Sequence, residues 1–170
     1  FDGGAGADAF NGGADQDRVD YNTVGGIRIV LGAPVAGVTT VISDLSTNPE
    51  ALGDTFNSIE HIRATNDDDS ITLDTAETTI RVLTGLGGND TIVGGGGDDE
   101  ILGGDGDDLL RGVLGNDSIY GGAGIDTIDG GDDHDTLHGG DDGDKIYGGN
   151  GDDVVRGEAG NDYIEGNDGI

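Results

Sequence analysis

The chain has 170 residues, 37 of them glycine and none cysteine, with 36 acidic against 7 basic side chains and a formal net charge of −29. The lack of cysteine excludes a disulfide frame and a zinc–thiolate site, and so negative a charge repels nucleic acid and anionic membrane surfaces. Composition alone, at 4% aromatic, would favour a solvated acidic linker; the order of the residues argues otherwise.

Residues 1–20 carry two nine-residue units, Gly3 to Asn11 and Gly12 to Asp20. Asp8 and Asp17 hold their sixth positions, Phe10 and Val19 their eighth, and Phe1 falls at the eighth position of a severed unit. From residue 21 the pattern pauses. Val24 to Leu31, alternating at Ile27, Ile29 and Leu31, and Val38 to Ile42 are predicted strands. Asn48-Pro49-Glu50 reads as an N-cap, a proline at the first helical position and an acidic first turn closed by Gly53, which predicts a short helical turn. The nine-residue register then returns faintly, with Ile62, Ile71 and Ile80 at the eighth position and Glu60, Asp69 and Thr78 at the sixth.

From Gly85 to Glu165 the same unit, Gly-Gly-x-Gly-x-Asp-x-U-x with U a large aliphatic, runs nine times without a gap. Its sixth position reads Asp90, Asp99, Asp108, Asp117, Asp126, Asp135, Asp144, Asp153 and Asp162. Its eighth reads Ile92, Ile101, Leu110, Ile119, Ile128, Leu137, Ile146, Val155 and Ile164. A disordered linker has no need of an aliphatic residue at every ninth position.

Residue types suggest the local shape. Glycine fills position one in all nine units, position two in six and position four in seven. Such a pattern suits a sharp turn with positive φ and closely approaching backbones. In the x-U-x tail the U side chain points inward and its neighbours outward, as along a strand. Burying one Ile or Leu stabilises by about 1.5–3 kcal/mol, well below the cost of ordering nine residues at about 1–2 kcal/mol each. The turns must therefore bind something. Carboxylates and backbone carbonyls are hard oxygen ligands, suited to Ca²⁺ with six to eight oxygens.

The iterated nonapeptide resembles the bacterial RTX, or hemolysin-type calcium-binding, repeats. The resemblance implies an all-β fold, a right-handed parallel β-roll in which successive repeats face opposite sides and eighteen residues complete one coil. Each repeat would be a turn over its first six residues and a short strand over its last three. It also implies calcium between turns eighteen residues apart. The earlier turn would give the carbonyls of position two (Leu86, Gly95, Gly104, Val113, Gly122, Gly131, Gly140) and position four (Gly88, Gly97, Gly106, Gly115, Gly124, Asp133, Asp142). The later turn would give those of position one (Gly103, Gly112, Gly121, Gly130, Gly139, Gly148, Gly157) and position three (Asp105, Leu114, Ala123, Asp132, Asp141, Asn150, Ala159). Both add their sixth-position Asp, so that nine turns form about seven sites and each inner Asp bridges two ions. Asp8, Asp17, Asp67 and Asp69 are further candidate ligands in the less regular units.

Departures from the consensus fall at Leu86, Val113 and Glu158 in position two and at Asp133 and Asp142 in position four. These positions bind through the backbone, so the ladder is expected to continue through residues 130 to 145, with strain where a side chain accompanies positive φ. Gly53-Asp54-Thr55 followed by Ser58-Ile59-Glu60-His61-Ile62 is similar to a linker between RTX blocks, packed by Phe56, Ile59 and Ile62. The expected division is residues 1–20 as N-terminal repeats, 21–84 as a degenerate inter-block segment with an excursion over 21–54, and 85–170 as the calcium-binding roll. The rival is two separate rolls. A start at Phe1 and an end just inside a tenth unit at Gly166 read as an excerpt of a longer protein.

No catalytic signature is present: there is no His-Glu-x-x-His, Gly-x-Ser-x-Gly or Gly-Lys-Ser/Thr. His134 and His138 are four apart but are expected on a turn and on a strand exterior, and His61 reads as a packed or solvent-facing residue. Asn89-Asp90-Thr91 and Asn116-Asp117-Ser118 fit a glycosylation sequon inside the turns and read as incidental. The expected function is a calcium-binding module of a secreted bacterial protein, disordered without calcium and folded at extracellular calcium, with no catalysis of its own. Its partners by resemblance are calcium, neighbouring domains of the parent and the type I secretion machinery. The alternatives are an adhesion or surface-layer spacer and a glycan-contacting accessory of a polysaccharide-acting enzyme. Ice binding is disfavoured because the outward seventh position runs Thr91, Glu100, Leu109, Ser118, Thr127, Thr136, Lys145, Val154, Tyr163 rather than a uniform Thr file.

Overall fold

The structure is a computed structural model that describes residues 9–11, 18–20, 28–31, 39–40, 55–57, 60–73, 75 and 81–168. Seven short strands come first: β1 (Ala9–Asn11), β2 (Arg18–Asp20), β3 (Arg28–Leu31), β4 (Thr39–Thr40), β5 (Thr55–Asn57), β6 (His61–Arg63) and β7 (Ser70–Leu73). The repeats then give β8 (Val82–Gly87), β9 (Thr91–Gly96), β10 (Glu100–Asp105), β11 (Leu109–Leu114), β12 (Ser118–Ala123), β13 (Thr127–Asp132), β14 (Thr136–Asp141), β15 (Lys145–Asn150), β16 (Val154–Ala159) and β17 (Tyr163–Glu165).

Strands alternate between two seven-stranded parallel sheets, β16-β14-β12-β10-β8-β6-β2 and β17-β15-β13-β11-β9-β7-β3. The result is a parallel β-solenoid of about six turns, without helix among the described residues. Register advances by eighteen residues per coil, as in Ile101↔Ile119 and Leu110↔Ile128. The ladder runs unbroken through β13, β14 and β15, across the Asp133 and Asp142 turns.

Each full strand spans the seventh position of one repeat to the third of the next, so the turn is three residues and not six. The extension arises because positions two and three still pair between coils, for example Gly104↔Leu86 and Asp105↔Gly87. Eighth-position side chains from Ile62 through Ile146 form the core, each at most 1% exposed. At the C-terminal end Val155 is only partly buried and Ile164 is 48% exposed, since no coil covers them among the described residues.

Two expectations need correction before the regular repeats begin. The coil from β6 to β8 is three residues longer, pairing Ile62 with Leu83, and Ile71 likewise pairs with Ile92. The core slot expected for Ile80 is therefore Leu83, and the sixth-position slot expected for Thr78 is Arg81; Ile80 and Thr78 themselves lie outside the described residues. Secondly, β3 is not an excursion, because it pairs in parallel with β7 inside the same sheet, as β2 does with β6. A small sheet β1-β5-β4 stands apart, with β4 antiparallel to β5. The helical turn near residues 48–53 and the packing of Ile59 fall outside the described residues.

Candidate metal centre

Each sixth-position Asp from Asp90 to Asp144 leaves the turn backbone fixed on both sides. Its N–H donates to Oδ1 of the Asp eighteen residues later, at 2.8 Å for Asp90 to Asp108 and for Asp108 to Asp126. Its carbonyl accepts the N–H of the seventh position in the next coil, as in Leu109 to Asp90 at 2.8 Å. Oδ1 is thus a rung of the ladder. The second oxygen, Oδ2, is buried without a hydrogen-bond partner in Asp90, Asp108, Asp117, Asp126, Asp135, Asp144 and Asp153.

The surroundings of that oxygen explain the invariant glycine at position one. A Cβ at Gly103 would fall within 3.0 Å of both Asp108 Oδ2 and the Gly121 carbonyl, and Gly112, Gly121, Gly130 and Gly139 repeat the arrangement. The carboxylate and the position-one carbonyl of the next coil therefore face one small space. Position-two carbonyls of the earlier turn (Leu86, Gly104, Val113, Gly122) and position-four carbonyls (Gly88, Gly97, Gly106, Asp133, Asp142) point across to the following turn on the same edge. Position-three carbonyls complete the set from the later turn, where Leu114 and Ala123 accept the Gly97 and Gly106 N–H at 3.0 and 2.7 Å.

All nine residues at position two and all nine at position four have positive φ, including Leu86, Val113, Glu158, Asp133 and Asp142. The Leu86, Val113, Asp133 and Asp142 carbonyls keep the direction of their glycine counterparts, at a cost in local strain.

Electrostatics point to a cation. Burial pushes Asp117 up to about 8, Asp90 and Asp126 to about 7, and Asp108 and Asp135 to about 6, from an ordinary value of 3.8. The N–H on Oδ1 opposes the shift and neighbouring carboxylates reinforce it; Asp144 is raised in the same way. A stack of buried anions with unused oxygens needs positive charge. Among the described residues there is no cluster of three or more His, Cys, Asp or Glu side chains that could hold a metal; the oxygens that do gather at the turns, carboxylate and backbone carbonyl, are of the hard kind that suits an ion such as Ca²⁺.

A family model described as the RTX calcium-binding nonapeptide repeat matches residues 1–22, 82–110, 111–146 and 138–170, in 4 copies. The chain belongs to this family. Comparison with curated proteins yields no match. Its fold as an all-strand parallel solenoid agrees with an RTX β-roll.

Within the RTX roll, the Asp residues from Asp90 to Asp144 form two files joined at eighteen-residue steps. Asp162 ends one file, half-buried, with Oδ1 accepting the Asp144 N–H at 3.0 Å. Asp8 and Asp17 lie outside the described residues. Asp69 keeps the ladder, donating to Asp90 Oδ1 at 2.8 Å, but its Oδ2 accepts both the N–H and the hydroxyl of Thr65. Neither Thr65 nor Asp67 has the positive φ found at the matching positions of the repeats.

Sequence reasoning missed two features. Gly166 and Asp168 open a tenth unit that already packs on the eighth: the Gly151 N–H donates to the Asp168 carbonyl, and a Cβ at Gly148 would meet Asp153 Oδ2 and the Gly166 carbonyl. This gives the Asp153 turn partners too, and the signal was the Gly166 start itself. The second is a ladder at position five, where Asp68, Asn89 and Asp107 on one edge and Asp98, Asn116 and His134 on the other accept the N–H of the next coil. Here His134 is on a turn, using Nδ1 as the acceptor for Asp152 at 2.8 Å. His138 is on a strand exterior, stacked on Tyr120 and bonded to Glu158. The two do not converge on a metal site.

Proposed function

We propose that this chain is a calcium-dependent folding module of a secreted bacterial RTX protein, extended without the ion and assembled into the roll at extracellular calcium. The observation that carries the reading is the file of buried, unpartnered Asp Oδ2 atoms, each facing the backbone carbonyls of the neighbouring coil. About eight ions, seven between the complete turns and one at the Asp153–Gly166 turn, would offset on the order of half the formal charge of −29. When bound, calcium supplies the positive charge that the fold otherwise lacks. The chain's own residues do the rest: position-one, -two, -three and -four carbonyls and Asp Oδ2 would hold the ion, while Asp Oδ1 ties adjacent coils. Millimolar affinity of such turn sites suits an extracellular setting.

Circular dichroism of the chain with chelator and then with millimolar calcium tests the reading. The expected result is a coil spectrum that converts to β-structure, with isothermal titration giving about eight ions per chain. Identical spectra in the two conditions would overturn it.

A further inference from the structure

The coil of β6 and β7, just before the regular repeats, departs from them at both turns. In the turn over residues 64–69, the Asp69 Oδ2 accepts the Thr65 N–H at 2.7 Å and the Thr65 hydroxyl at 2.9 Å. The same Thr65 Oγ1 accepts the Asp67 N–H at 3.1 Å. A hydroxyl therefore links the second, fourth and sixth positions, the groups that in every later turn are arranged around a cation site. The ladder around it is unchanged, since Thr91 N–H still donates to the Asp69 carbonyl at 2.9 Å.

On the opposite edge Arg81 takes the sixth position. Its N–H donates to Asp99 Oδ1 at 2.8 Å and its carbonyl accepts the Glu100 N–H at 2.8 Å, as an Asp would do. The Val82 N–H in turn reaches the Glu60 carbonyl at 2.7 Å. Arg81 is 3% exposed, and Asp99 Oδ2 in the next turn is also shut off from solvent. A guanidinium buried to this degree requires an anion beside it, and in this turn stack the sixth-position carboxylates on either side of Arg81 are those of Glu60 and Asp99. A permanent cation on the chain thus stands where the later coils place an Asp and need an ion.

We propose that Thr65 and Arg81 are resident substitutes for calcium, making the β6–β7 coil an ion-independent cap on which the calcium-dependent repeats assemble. This inference rests on the calcium-linked folding proposed above. Hydrogen exchange on the whole chain in chelator separates the two. The Ala64 and Val82 amides, bonded to the Thr84 and Glu60 carbonyls, should stay protected without calcium. The Thr127, Thr136 and Lys145 amides, bonded to Asp108, Asp117 and Asp126, should exchange freely until calcium is added. Thr65→Val and Arg81→Gln should each speed calcium-free exchange at Ala64 and Val82 at least tenfold, while the calcium-saturated circular dichroism stays that of the roll. Loss of Ala64 and Val82 protection in step with residues 127–145, or no effect of either substitution, overturns the cap. Protection of residues 127–145 without calcium would instead overturn the linked folding itself.

Discussion

Gly121→Ala places one methyl group where the structure has no room for it. An added Cβ would lie well inside 3.0 Å of both Asp126 Oδ2 and the Gly139 carbonyl, so both oxygens must retreat. Overfilling a packed site costs about 1–3 kcal/mol, and weakening a charged ligand adds about 1.5–3 kcal/mol, for a total near 4 kcal/mol. If about eight ions bind cooperatively, 4 kcal/mol raises the midpoint calcium concentration only two- to threefold, because the penalty is shared among the ions at about 1.4 kcal/mol per tenfold. At saturating calcium the same penalty lowers the thermal midpoint by on the order of 15–30 °C for a domain near 100 residues. Gly87→Ala is the control. Its Cβ would meet nothing closer than 3.8 Å and its φ is not positive, so it should be neutral or slightly stabilising. Thermal melts followed by circular dichroism read both. Equal melting of the two variants would refute the convergence of ligands at position one.

Asp126→Asn keeps the Oδ1 acceptor for the Asp108 N–H but removes charge from two adjoining sites, whereas Asp162→Asn, in the last repeat, affects one; the first should cost roughly twice the second in a calcium titration, at about 1.5–3 kcal/mol per charged contact. The raised carboxylates set the sign of the pH response. Folding without the ion takes up protons, so the calcium-free roll is favoured near pH 4 and loses that stability as pH rises through about 6 to 8. Calcium binding must expel those protons, so apparent affinity should fall as pH drops from 8 to 6, with proton release measurable in weak buffer; a pH-independent affinity would contradict it. Leu137→Ala, in the fully buried file, should cost about 2–5 kcal/mol, and Ile164→Ala, 48% exposed, markedly less, in melts at saturating calcium.

The sixth and eighth positions were legible because chemistry there depends on a side chain: a carboxylate for the turn and an aliphatic group for the core. Position five was opaque for the opposite reason. Its ladder needs only an acceptor for a backbone N–H, which Asp107, Asn89 and the His134 ring supply equally well. The register before residue 82 misled because Ile80 continues the nine-residue count, while the longer coil delivers Leu83 to the core instead. Arg81 gave no warning at all, since a basic residue matches no slot of the consensus. Strand length was underestimated because glycine at positions one and two, and an unpatterned residue at position three, hide backbone pairing that owes nothing to side chains.

The rungs between aspartates all lean the same way. Each amide on a lower course holds the Oδ1 of the course above it, from Asp90 under Asp108 up to Asp144 under Asp162. Stripping the uppermost course leaves every remaining carboxylate aimed, whereas stripping the lowest frees the one above it. The stack therefore has a polarity like that of a wall laid upward from its footing, and it tolerates loss at its top far better than at its base.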